Sequence, residues 1–308
     1  MLKSIPVIIA ALLLLGLVSW LIGERGKLLM PSTRKFIQMA GLRRFLNLNA
    51  LHGYIYLRLQ RQYLNLLIKG NPKTPPFIRK WVVDRYHSKV LTTEQASKII
   101  TLNRDIPLQN LEQVIPHHIA RSIVLNASPK IVAFECGCRH ARPNPCLPTQ
   151  VCLFIGEPYA DFMLEHHPAE SRELTQAAAL ELLDQEHARG HLHSAWFKDA
   201  LMERFYAICN CCKCCCGGIE NMVRFGAPIM ASSGYVVESR PDLCEACGAC
   251  VDVCPFNANA LSPENELAVD WERCMGCGVC VDKCPKELRT LLRDEKKGVP
   301  LEVERLAN

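Results

Sequence analysis

The sequence predicts an α+β protein in three parts: an N-terminal transmembrane helix, a mainly helical cysteine-rich middle region and a small C-terminal cysteine module. Three observations carry this expectation. Residues 5–22 contain no charged side chain. Apolar residues then recur at spacings of three and four, as on one face of a helix. Finally, one pattern, C-x2-C-x2-C-x3-C-P, occurs twice, at 244–255 and at 274–285. The expected organisation is an anchor at 1–23, a basic helical juxtamembrane region at 24–90, a cysteine-rich domain at 91–235, the tandem module at 236–290 and a tail at 291–308.

As a helix, residues 5–22 would span roughly 27 Å, close to a hydrocarbon core of about 30 Å. Trp20 falls near one end, where an indole favours the membrane interface. A cleaved signal peptide fits less well, because no small-residue cleavage site follows the apolar run. A buried core helix is the other alternative. Only Lys3 precedes the run, whereas Arg25, Lys27, Arg34, Lys35, Arg43 and Arg44 follow it. The positive-inside rule then gives a single-pass inner-membrane protein whose C-terminal domain faces the cytoplasm. A reducing compartment also suits the 18 cysteines.

The net charge of +5 conceals an asymmetry. Between positions 24 and 90, 14 Lys/Arg stand against Glu24 and Asp84, a local +12 that leaves −8 beyond Val90. Leu48, Leu51, Ile55, Leu59, Tyr63 and Leu66 predict a helix over 45–69, ended by Gly70-Asn71-Pro72, with a linker over 72–76. Its basic faces suit an anionic membrane surface, at about 1 kcal/mol per Lys/Arg. Packing on its own domain or on a partner subunit is the alternative. No nucleic-acid partner is expected.

Further along, Thr92-Thr93-Glu94-Gln95 reads as a capping box opening a helix over 92–102. A second helix is expected over 110–119, interrupted at Pro116. Ile131-Val132-Ala133-Phe134 reads as a buried strand. Residues 174–189 read as an amphipathic helix with Gly190 as its C′ residue.

The tandem pattern carries the chemistry. A [4Fe–4S] cluster needs one thiolate per iron, and three cysteines in a tight loop cover three irons. The fourth lies beyond a turn and serves the other cluster. Cys244, Cys247, Cys250 and Cys284 are therefore assigned to one cluster, and Cys274, Cys277, Cys280 and Cys254 to the second. Two four-cysteine zinc sites are the alternative, which the tandem spacing disfavours. This stretch, from about 241 to 289, resembles the two-cluster bacterial ferredoxins. The resemblance implies a ferredoxin-like fold, two [4Fe–4S] clusters and electron transport.

Ten cysteines lie upstream. Cys136, Cys138, Cys146 and Cys152 make one complete set of four, suited to a third cubane or to zinc. Cys209, Cys211, Cys212, Cys214, Cys215 and Cys216 crowd into eight residues. Adjacent side chains diverge, so these six do not all converge on one centre. One or two additional iron–sulfur clusters are expected from the ten. Arg139 and His140 are read either as donors to cluster sulfur or as surface polarity, and His191 and His193 as weak ligand candidates. The order of these blocks is similar to that of ferredoxin-like proteins of anaerobic bacteria with an extra cysteine-rich domain. That resemblance begins near position 114 and implies architecture, with little mechanism.

No Walker A loop, strand-borne G-x-G-x-x-G or H-E-x-x-H is present, and no catalytic residue is assigned. The reading is a membrane-anchored iron–sulfur electron-transfer protein with a redox partner protein, more a carrier or redox subunit than a stand-alone enzyme. The alternatives are a reductase with its substrate at the upstream cysteines, and a redox or metal sensor.

Overall fold

The computed structural model describes residues 5–46, 48–101, 106–109, 122–125 and 129–302. Five helices come first: α1 (Ile5–Gly23), α2 (Pro31–Leu46), α3 (Asn49–Arg58), α4 (Gln60–Gly70) and α5 (Pro76–Val83). Then follow β1 (Tyr86–Leu91), α6 (Thr93–Ile100) and an antiparallel pair, β2 (Ile106–Gln109) with β3 (Ser122–Leu125). The central part holds β4 (Ile131–Glu135), the single turn α7 (Gly137–His140), β5 (Gln150–Ile155), α8 (Tyr159–His166) and β6 (Ser171–Leu174). It continues with α9 (Gln176–Ala188), β7 (Leu192–Lys198), β8 (Arg204–Cys211), α10 (Gly217–Phe225) and β9 (Met230–Ala231). The C-terminal part holds β10 (Tyr235–Ser239), α11 (Ala249–Val253), β11 (Asn259–Leu261), β12 (Leu267–Val269), α12 (Val279–Asp282) and β13 (Arg289–Arg293).

The middle region is not mainly helical. A seven-stranded sheet of order β6-β4-β5-β8-β7-β1-β9 runs through it, antiparallel except at β1–β9. The fold is mixed α/β. Side chains alternate across each strand, so the sheet has two buried faces. On one, Phe134, Phe154, Trp196 and Ala207 pack against Phe36 of α2, Tyr56 and Leu57 of α3, Leu64 of α4 and Phe162 of α8. On the other, Ala133, Leu153, Ala195 and Ile208 meet Ala96 and Ile99 of α6 and Ala179 and Leu183 of α9. With both faces covered, β7 is buried at every position and shows no alternation that a sequence reading would catch.

The expected anchor is overturned. Among the described residues, no helix is long and apolar enough to cross a membrane. The membrane localisation falls with it, as does the orientation drawn from the flanking charges. The physical reason lies in the last turn of α1, which belongs to the domain. Trp20 stacks on Tyr54 at 5.1 Å between centroids and donates to the Leu28 carbonyl at 2.7 Å. Arg58 Nε donates to the Gly23 carbonyl at 3.0 Å. Glu24 is fully buried and accepts from the Met30 N–H at 2.5 Å and from Thr33 Oγ1 at 3.0 Å.

The basic region folds back onto the same domain. Lys35 pairs with Glu157 and Asp161, Arg61 with Glu170, and Arg85 with Asp199. The helix expected over 45–69 is two helices, broken at Leu59 (φ −120°, ψ 32°). The expected linker over 72–76 is a 3-10 turn, Asn71–Lys73, leading into α5. Thr92 caps α6 in a capping box with Gln95, and Gly190 follows α9 at φ +86°. The helix expected over 110–119 lies outside the described residues.

Candidate metal centres

In the C-terminal module, β10 pairs with β13 and β11 with β12, around two parallel halves. Each half enters its short helix through a glycine in the left-handed region, Gly248 (φ 78°) before α11 and Gly278 (φ 84°) before α12. A side chain there would strain the turn that brings three cysteines together. Cys244, Cys247, Cys250 and Cys284 line one small cavity, with Leu261, Leu267 and Arg289. Cys254, Cys274, Cys277 and Cys280 line a second, with Val237, Phe256 and Leu291. Thus the last cysteine of each run faces the cavity of the other run. Four thiols per cavity with apolar walls fit a cubane's needs.

The two cavities differ in exposure. Cys254, Cys274, Cys277 and Cys280 are all buried, whereas Cys247 is exposed and Cys244, Cys250 and Cys284 are half-buried. Arg289 is buried between them. Its Nη2 donates to Asn259 Oδ1 at 2.7 Å, and Asn259 Nδ2 donates to the Cys250 carbonyl at 2.8 Å. The Cys250 thiol is pushed up by burial, with Arg289 opposing. Burial likewise lifts Cys280 to about 11 against the same guanidinium.

The upstream cysteines sit at one end of the large sheet. Antiparallel pairing brings the end of β4, the start of β5 and the end of β8 together there, with Phe134 opposite Cys152 and Leu192 opposite Cys211. Six thiols close a ring. Cys136 neighbours Cys138 and Cys152; Cys152 neighbours Cys209; Cys209 neighbours Cys211; Cys211 neighbours Cys216; and Cys216 returns to Cys138, each thiol close enough to perturb the next. Contacts with neighbouring thiols, then burial, push Cys136, Cys152 and Cys209 up. Cys211 alone is lowered, to about 6, because Cys209, Cys216 and Ser194 hydrogen-bond its thiolate. Six soft donors exceed what one four-coordinate ion takes, so the set fits a polynuclear iron–sulfur centre.

The remaining four thiols group differently. Cys146 Sγ, a ring nitrogen of His191 and Cys212 Sγ lie within 4.8 Å of one another, as do the sulfurs of Cys212, Cys214 and Cys215. The set of four expected from Cys136, Cys138, Cys146 and Cys152 is therefore divided. Cys146 belongs with the second block, and Cys209, Cys211 and Cys216 belong with the first. His191 is brought to the thiols; His193 is not, and hydrogen-bonds Asn210 Oδ1 at 2.6 Å. Arg139 is fully buried, with hydrogen-bonding contacts to the Pro148 carbonyl, Glu186, His191 Nδ1 and the Asn210 carbonyl. His140 pairs with Glu135 at 2.7 Å.

The ring opens onto a cavity of about 150 Å³ that sequence reasoning missed. Tyr56, Tyr86, Tyr206, Trp196, Leu64 and Ile68 share its wall with the six thiols and with Cys212. The three tyrosine hydroxyls meet: Tyr56 to Tyr206 at 2.8 Å, Tyr206 to Tyr86 at 3.1 Å and Tyr56 to Tyr86 at 3.2 Å. Burial raises all three phenols above their ordinary value, so they stay neutral. Lys198 lies 5.0 Å over the Tyr56 and Tyr86 rings and is lowered by burial to about 8. No spacing signal marks these tyrosines, because α3, β1 and β8 bring them from distant parts of the chain.

Residues 237–285 match the family model of the 4Fe-4S dicluster domain. The C-terminal part is thus an iron–sulfur module of ferredoxin type, and the chain is a metal-binding protein suited to electron transfer. No curated protein matches the chain.

Proposed function

We propose that this chain is an electron carrier linking an external redox protein to a thiol-ligated iron–sulfur centre within its own α/β domain. Cys244, Cys247, Cys250 and Cys284 hold one [4Fe–4S] cluster, Cys254, Cys274, Cys277 and Cys280 the second, and the six-thiol ring a further centre. When bound, such clusters take up and release single electrons. One observation carries the reading: Cys277, Met275 and Val279 of the buried half lie in the same continuous core as Trp196, Cys211 and Cys216 of the ring. The half-exposed Cys244–Cys250 loop gives a partner access at the other end.

Polar contacts fix the two parts together. His187 pairs with Asp282, Lys213 Nζ donates to the Asp252 carbonyl at 3.3 Å, and Ser233 N–H donates to the Met275 carbonyl at 3.1 Å. Stepwise anaerobic reduction followed by paramagnetic resonance tests the proposal. The expected result is more than about eight irons per chain and a signal, beyond the two of the ferredoxin type, that Cys138→Ser removes. About eight irons with no additional centre would refute it.

A second reading, a reductase, is favoured by the cavity. It sets three neutral phenols, which are proton donors, beside thiols that face a chamber large enough for a small, mainly apolar molecule. Oxidation of the reduced protein by such a compound, slowed in Tyr206→Phe, would select this reading over the carrier.

A further inference from the structure

We propose that Cys146, His191, Cys212 and Cys215 bind a single zinc ion, a site distinct from the six-thiol ring and from the dicluster module. Three independent features converge. The first is donor spacing. Four ligands placed tetrahedrally at about 2.3 Å from one ion stand about 3.8 Å apart. Cys146 Sγ, a ring nitrogen of His191 and Cys212 Sγ fall within 4.8 Å of one another, and Cys146 Sγ lies 3.5 Å from His191 Nε2. The terminal sulfurs of a cubane belong to four different irons and stand further apart. A set of thiolates with one imidazole at this spacing is the chemistry of zinc.

The second feature is the imidazole's own support. His191 is buried, and its Nδ1 lies 2.7 Å from Glu186 Oε2. Glu186 is fully buried as well. Arg139 Nη2 lies 2.5 Å from Oε2, and Arg189 Nη1 lies 3.0 Å from Oε1. Arg139 Nη2 also lies 3.2 Å from Nδ1, so this side of the ring is held by buried polar groups while Nε2 faces the Cys146 sulfur at 3.5 Å. A carboxylate against the far ring nitrogen is the support that metal-binding histidines usually have.

The third feature selects the fourth ligand. Cys215 is buried, and the Cys146 N–H points at its sulfur at 3.4 Å. Arg142 holds this turn by donating to the Cys215 carbonyl at 3.1 Å and to Glu220 at 2.6 Å. Cys212, Cys214 and Cys215 form a second close group that shares Cys212 with the first; of its two further cysteines Cys214 is exposed, which leaves the buried Cys215 as the fourth ligand of the proposal. The ion would join the loop after α7, the turn before β7 and the turn after β8, all at the end of the sheet where the ring lies.

Zinc analysis and zinc-edge X-ray absorption of the full chain, purified anaerobically, test the assignment. One zinc per chain is expected, with three sulfurs at about 2.3 Å and one nitrogen at about 2.0–2.1 Å. In His191→Cys the zinc stays and its nitrogen becomes a fourth sulfur. In Glu186→Gln the zinc affinity falls roughly 10- to 100-fold. Cys214→Ser leaves the shell as it was, and Cys138→Ser leaves the zinc in place. A wild-type shell of sulfur alone, iron in this position, or no zinc at all would overturn the proposal. Because the ring is read at the iron edge and this site at the zinc edge, the two assignments fail separately.

Discussion

Lys89 is a basic side chain buried without a carboxylate partner among the described residues, and removing its charge should stabilise the protein in a pH-dependent way. It lies in β1 between Ala195 of β7 and Ala231 of β9 and is 1% exposed. Burial, with Arg293 adding to it, lowers its pKa from 10.5 to about 7. At 1.36 kcal/mol for each pH unit, that displacement corresponds to about 4–5 kcal/mol. The sign follows from proton counting. Between pH 7 and 10.5 the unfolded chain keeps this proton and the folded chain releases it, so stability rises with pH through that window. Below about pH 7 the folded state must carry the buried charge, and the full penalty applies. Lys89→Met keeps the length of the side chain and removes the charge. Its expected advantage is about 4 kcal/mol at pH 7, falling to about 1 kcal/mol by pH 9.5. Thermal melting of both proteins under anaerobic conditions at pH 7, 8, 9 and 9.5 would show this as a midpoint raised by roughly 5–10 °C at pH 7. The gap should narrow steadily as the pH rises. A gap independent of pH, or a variant less stable at pH 7, would refute the reasoning.

Four other outcomes are expected. Cys254→Ser should alter the signal of the cluster held by Cys274, Cys277 and Cys280, and Cys284→Ser that of the other; paired spectra after anaerobic reconstitution decide this. Arg139→Met should cost about 3–5 kcal/mol, because Glu186 keeps its charge in a buried site, and Arg139→Met with Glu186→Gln should recover part of the loss in a double-mutant cycle. Arg289→Gln removes the positive charge beside Cys250 and Cys280, so potentiometric titration should find both ferredoxin potentials more negative by roughly tens of millivolts. Gly190→Val places a side chain where even a Cβ would come within 2.7 Å of Val253 Cγ2. It should slow reduction of the upstream centre in stopped-flow mixing while leaving the ferredoxin spectra unchanged.

The dicluster module was legible because its spacing is local: three cysteines and a glycine in one loop define most of a site. The capping box at Thr92 and the end of α9 at Gly190 were legible for the same reason, since each depends on residues a few positions apart. Of the sheet, β4 was legible as the short apolar run at 131–134; β5, β7 and β8 were not, because they are covered on both faces and lack the alternation that marks a half-buried strand. The N-terminal run misled because hydropathy records only the side chains of α1. It does not record that Glu24, one residue past the helix, is buried against Thr33 and the Met30 N–H. Nor were the tyrosine triad and the role of Glu186 legible, because each is assembled across long stretches of chain.

The unusual density of cysteine at 209–216 follows from the position of β8. Along this strand Cys209 and Cys211 share a face, two residues apart, and both enter the ring. Beyond Cys211 the chain leaves the sheet, and Cys212 turns toward Cys146 and His191. Cys216 comes back to Cys138 and Cys211 at the start of α10. One strand end and one tight turn therefore supply both the ring and the proposed zinc site, and the divergence of neighbouring side chains divides the cysteines between them. The same geometry explains Gly217 and Gly218. A Cβ on Gly217 would lie 3.0 Å from Ile68, and one on Gly218 would lie 3.0 Å from Trp196, both walls of the cavity that the ring faces. Larger residues there would push α10 away from the sheet and carry Cys216 out of the ring. The two glycines thus hold the sixth thiol in place, which ties the local sequence Cys-Cys-Cys-Gly-Gly to the closure of the centre.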